Sequence, residues 1–116
     1  MIDESRPVYL RLRDIIAAAI LEGRYGDGDM LPSVRAFAAQ QGANPLTVAK
    51  AYQSFQDDGL VLVKRGIGMF VAPGAARKLR AAEREHFLTS VWPPIAEQMH
   101  RIGITLDDLA RQQADA

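Results

Sequence analysis

At 116 residues without a cysteine, the chain has room for one modest core and an appendage, and disulfide scaffolds, thiolate metal sites and thiol chemistry are excluded. Its 14 basic and 14 acidic residues cancel, so a polyanionic partner would have to be met by a basic face and not by net charge. The longest apolar run, residues 15 to 21, falls far short of the roughly 20 residues of a membrane span, and the N-terminus lacks the basic-then-apolar order of a secretory signal; a soluble cytoplasmic protein with no membrane partner is expected.

Pro7 stands at a favourable first helical position, and Leu12, Ile15, Ile16, Ala19 and Ile20 then recur at helical spacing until Gly23 ends the run. After the turn residues Gly26-Asp27-Gly28-Asp29, Met30-Leu31 has the character of a very short strand. Ser33 is placed to cap a second helix with Val34, Phe37, Ala38 and Gln41 on its inward face and Gly42 just past its end.

Asn44-Pro45 opens a third helix, because proline pushes the preceding residue into the extended conformation of a cap and sits where a missing N–H costs nothing. The stripe Val48, Ala51, Tyr52 and Phe55 is the expected buried face, which leaves Leu46, Thr47, Lys50 and Gln53 outward; Gly59 closes the helix. Only Gly42-Ala43 separates the two caps, so the helices should cross steeply as a helix-turn-helix. The β-rich runs 60–64 and 69–71 flank Arg65-Gly66-Ile67-Gly68 and predict a hairpin.

Ala72-Pro73-Gly74 marks a boundary, giving residues 1–74 as a winged helix-turn-helix domain and 75–116 as a helical dimerisation tail. In the tail, Leu79, Phe87, Leu88, Val91, Trp92, Ile95, Met99 and Ile102 form an apolar series on a helical period. Pro93-Pro94 predicts that one helix ends or kinks near Trp92 and another runs from Pro94 to Ile102. Thr105 and Asp108 then have the spacing of a capping box. So many apolar residues exceed what a small winged domain can cover, and they point to a second copy of the chain. Trp92 and Phe87 also have the character of pocket-lining residues, although their spacing with Val91 and Ile95 favours packing or dimer contacts.

The candidate DNA contacts are Arg35, in a first helical turn where the dipole disfavours a cation and so invites an external anion; Asn44, Leu46, Thr47 and Lys50 around the third helix; and Lys64, Arg65 and Gly66 at the wing. Backbone N–H groups at the starts of the second and third helices are expected to add phosphate ligands. Leu46 offers only apolar contact, a thymine methyl in a major groove; otherwise it is a plain surface leucine or one tucked under the second helix. A glycine-flanked arginine on a thin ribbon suits a minor groove. Asp57 and Asp58 lie at the far end of the third helix, so acidic charge is kept off the basic face. His86 and His100 have no metal-ligand spacing and no glycine loop has a nucleotide-binding pattern; no enzyme, metal or cofactor is expected. A winged helix can also serve protein contacts, but a basic outward helix and a basic wing favour DNA.

These residues, namely Pro7-Val8-Tyr9, Leu31-Pro32-Ser33 with Arg35, Asn44-Pro45 with Thr47-Val48, Ala51-Tyr52, Gly59-Leu60, Arg65-Gly66 with Gly68, and Phe70-Val71, together resemble the DNA-binding domain of GntR-family transcriptional regulators. The resemblance spans about residues 7 to 72, and a tail of about forty residues resembles the short-tailed YtrA-like branch. It departs at Tyr25 and Asp27, where leucine and proline are usual, and at Leu46, where a polar residue is common. It implies a mostly α fold with a small β-hairpin wing, double-stranded DNA as partner, and roles in DNA contact for Arg35, Thr47, Lys50 and Arg65-Gly66. It also implies a homodimeric repressor, commonly of a transporter operon; the two-fold symmetry of a dimer would place two recognition helices on one DNA face, so an inverted-repeat operator is expected. It identifies no small-molecule effector.

Overall fold

The computed structural model describes residues 6–114, which form two compact units that divide between Arg80 and Ala81. In the first, α1 (Val8–Leu21), α2 (Val34–Gln41) and α3 (Pro45–Asp57) precede an antiparallel hairpin of β1 (Val61–Lys64) and β2 (Gly68–Val71); α4 (Ala75–His86) starts in this unit and runs past the division. Each of the first three helices starts where its sequence signal lies. Pro7 precedes α1, Ser33 Oγ accepts from Ala36 N (3.1 Å) ahead of α2, and Asn44 Oδ1 accepts from Leu46 N (2.8 Å) ahead of α3. Gly42 ends α2 at a left-handed φ of 61°, which lets α3 begin three residues later.

The core of this unit gathers Leu12, Ile16 and Ile20 of α1, Phe37 and Ala38 of α2, and Val48, Ala51, Tyr52 and Phe55 of α3. Removal of these side chains from water drives the helices together. The rings of Phe37 and Tyr52 lie 6.1 Å apart, and the Tyr52 hydroxyl donates to the Pro32 carbonyl (2.7 Å), pinning the entry of α2 to α3. Burial and the neighbouring Tyr25 together raise the Tyr52 pKa, so this phenol stays protonated. Arg13 of α1 donates to Ser54 (2.8 Å) and to Asp58 (2.7 Å) of the α3 end, with its guanidinium over Phe55. Gln41 is exposed and not inward, because the apolar face of this two-turn helix is already complete with Phe37 and Ala38.

In the hairpin Val61 pairs with Val71 and Lys64 with Gly68, leaving Arg65-Gly66-Ile67 as the loop, with Gly66 at φ 78°. Met30 bridges to Phe70 on the other side of β2, flanked by Leu31 N to Met69 O and Val71 N to Asp29 O (2.9 Å each). The short strand read at Met30-Leu31 is thus a third, minimal edge.

The boundary expected at Gly74 falls later, inside α4. Ala75 and Leu79 are buried in the core of the first unit, so Leu79 is a core residue here and not part of an open apolar face. In the second unit a π-helical turn, Phe87–Val91, leads into α5 (Trp92–Ile102), and α6 (Leu106–Ala114) ends the described chain. The interruption read from Pro93-Pro94 is present, but α5 begins at Trp92 with both prolines in its first turn. The widened turn makes room where proline rings would press on the carbonyls four residues back, and the Thr89 hydroxyl donates to the Glu85 carbonyl there (2.9 Å). The capping box of α6 is complete: Asp108 N donates to Thr105 Oγ1 (3.2 Å) and Thr105 N to the Asp108 carboxylate (2.8 Å). Those bonds, reinforced by Arg111, hold the Asp108 pKa below its ordinary value.

Candidate nucleic-acid interface

Helical geometry sets which side of α3 is open. With Val48, Ala51, Tyr52 and Phe55 fully inward, about 3.6 residues per turn puts Leu46, Ala49, Lys50 and Gln53 on the opposite side, and all four are exposed. Thr47 lies on the flank and is half-buried. Ala49 is a member of this face that the charge and polarity pattern did not single out; its spacing of three from Leu46 was the available signal. Gln53 donates to Asp57 (2.9 Å), so its amide is turned toward the far end of the helix. Lys50 extends toward α1, its ammonium 4.2 Å above the ring of Tyr9. Tyr9 therefore belongs with the interface as the side chain that steadies Lys50.

The starts of α2 and α3 differ in what they leave available. At α3, Pro45 has no N–H, Leu46 N is taken by the Asn44 side chain, and Thr47 N and Val48 N both donate to the Asn44 carbonyl (2.9 and 3.1 Å). The expectation of phosphate-binding amides at this helix start is corrected: Asn44 occupies them. At α2, Ser33 takes only Ala36 N and Phe37 N. The N–H groups of Val34 and Arg35 have no partner among the described residues, and Arg35 is exposed beside them. An anion is favoured there.

The wing lies against that same helix start. Residues 30–34 and 63–69, with Tyr52, line one cleft of about 540 Å³, so Lys64, Arg65 and Gly66 at the wing tip are brought beside the α2 entry. Lys64 holds its ammonium 4.6 Å over the Phe70 ring. Arg35 and Arg65 make no ion pair among the described residues. Acidic charge is spent elsewhere: Asp58 binds Arg13, Asp57 accepts from Gln53, and Asp14 pairs with Arg6. The cleft is mostly apolar, with Met30 and Ile67 exposed at its rim.

In the tail, Phe87, Leu88, Val91, Ile95 and Ile102 are exposed, Trp92 is half-buried, and Met99 is buried. Leu106 and Leu109 of α6 are further exposed apolar side chains. His86 and His100 are exposed, and no group of metal-ligating side chains occurs among the described residues. No helix among them is long and apolar enough to cross a membrane.

Comparison with known proteins agrees with this geometry. The profile of the bacterial regulatory proteins of the gntR family matches residues 8–71. The chain is 30% identical over 105 residues to the HTH-type transcriptional regulator YhcF of Bacillus subtilis, covering 90% of this chain and 85% of that protein. It is 36% identical over 75 residues to the HTH-type transcriptional repressor YtrA of Bacillus subtilis, covering 65% of this chain and 58% of that one. A GntR-family transcriptional regulator from Bacteroides thetaiotaomicron superposes with a TM-score of 0.71 at 31% identity, over 94% of this chain and 95% of its own. All three are named as transcriptional regulators or repressors. The chain belongs to the GntR family of DNA-binding transcriptional regulators, in its YtrA-like branch.

Proposed function

We propose that the protein is a homodimeric, sequence-specific repressor that binds an inverted-repeat operator in the cytoplasm. Transporter operons are the regulated class that the family resemblance implies. The observation that carries this reading is the juxtaposition of wing and α2: Lys64 and Arg65 line one cleft with Ser33 and Val34 of the α2 start, the helix start whose Val34 and Arg35 amides have no partner among the described residues, while the neighbouring helix α3 turns Leu46, Ala49, Lys50 and Gln53 outward. Wing and α2 are suited to phosphate and minor groove, and α3 to base edges. The dimer is supported by the exposed series Phe87, Leu88, Val91, Ile95 and Ile102, an apolar extent that usually marks an interface. Trp92 at the edge of that series and the buried Met99 belong with the tail packing that presents it. The name of the Bacillus relative, a transcriptional repressor, supports repression.

Salt titration tests the reading on duplex DNA selected by the full-length chain from a random pool. The logarithm of the binding constant should fall against the logarithm of salt with a slope near −0.9 per phosphate neutralised, hence several units for a dimer. Salt-independent binding, or a pool without enrichment, would overturn it.

A further inference from the structure

Leu46 is 79% exposed, the most exposed large apolar side chain among the described residues. That excludes a place under α2. Its backbone N–H is held by Asn44 (2.8 Å), which fixes the first turn of α3 and with it the outward Cα–Cβ bond of Leu46. The next outward residue along the same face is Ala49, also exposed. The ammonium of Lys50, on the same face, lies 4.2 Å from the Tyr9 ring on α1. The leading edge of the face is consequently apolar and offers no first-turn N–H: Pro45 lacks one and the next three are occupied.

An apolar leading edge has one good partner in a major groove. Thymine alone presents a methyl group there, whereas the edges of the other bases present donors and acceptors. A leucine would cover those polar atoms without replacing their bonds to water. We propose that Leu46, backed by Ala49, reads the methyl group of a thymine in the bound DNA, so that this position of the site is specified by apolar contact and by the penalty against every other base. The proposal rests on the reading of the outer face of α3 as the DNA-reading face.

Deoxyuridine differs from thymidine by that methyl alone, which makes the test direct. DNA selected by the full-length chain is resynthesised with each thymine in turn replaced by deoxyuridine, and binding is measured for the unsubstituted protein and for Leu46→Ala. At one thymine or more the replacement should cost the unsubstituted protein about fourfold in affinity, the worth of one buried carbon. The same replacement should cost Leu46→Ala nothing, and the two proteins should melt alike. No loss at any thymine, or an equal loss in both proteins at every sensitive thymine, overturns the assignment of Leu46 while Lys50→Ala and Arg65→Ala still weaken binding. If those two variants leave binding unchanged as well, the DNA-reading face itself fails, and this inference with it.

Discussion

Cations in this protein are sorted by what holds them. Arg13 is tied into the α1–α3 contact by Ser54, Asp58 and the Phe55 ring, whereas Arg35 and Arg65 are exposed and unpaired among the described residues. Arg13→Ala should therefore destabilise the fold, and Arg35→Ala and Arg65→Ala should leave thermal melts nearly unchanged. Each of the latter should lower the salt slope of DNA binding by about one unit where the contact is to phosphate, or cost about 1 to 3 kcal/mol where it is to a base. Fluorescence anisotropy across a salt series separates the two. A strong melt shift with unaltered affinity would make these arginines structural. Charge pattern alone singled out Arg35, Lys50, Lys64 and Arg65. It did not show that Lys50 leans on Tyr9 or that Asn44 consumes the amides of α3, because both depend on where neighbouring atoms fall in space and not on residue type.

Local signals placed the helices because caps and breakers act over a few residues: Ser33, Asn44-Pro45 and the Thr105–Asp108 pair are all found capping. Two features were out of reach of such signals. Gln41 continued a helical pattern but lies past the apolar patch that its helix can bury, and the prolines at 93 and 94 were absorbed by a π-helical turn that brings α5 in two residues earlier than Pro94. Loss of the cap in Asn44→Ala should cost about 1 kcal/mol of stability, read by chemical denaturation, and should loosen the leading edge of α3 more than its core stripe, read by amide exchange. The box at α6 has a defined pH response. Its Asp108 has a lowered folded-state pKa, so its contribution is present above the ordinary carboxylate range and lost as pH falls through the lowered value. The helical signal of residues 106–114 should fade in that acid window, and Asp108→Asn should remove the dependence.

For the whole chain, the decisive question is where the winged unit ends and whether the exposed tail joins two copies. Ala75 and Leu79 lie in the winged core, so a chain cut after Gly74 opens a hole there. Loss of Leu79 alone should cost about 2 to 5 kcal/mol, the usual range for emptying a buried leucine site, and such a fragment should melt early or fail to fold. A chain cut after His86 keeps that core and loses the exposed series that begins at Phe87. It should fold and sediment as a monomer, while the full-length chain sediments as a dimer. Two-fold symmetry pairs two identical reading faces, so the full-length chain should prefer an inverted repeat. The monomer should bind one half-site and lose about a hundredfold or more in affinity for the repeat, since linkage turns the second binding event into an intramolecular one. Sedimentation together with binding to whole and half operators decides it: a full-length monomer, or a His86-truncated chain of undiminished affinity for the repeat, would show that the apolar tail serves something other than self-association.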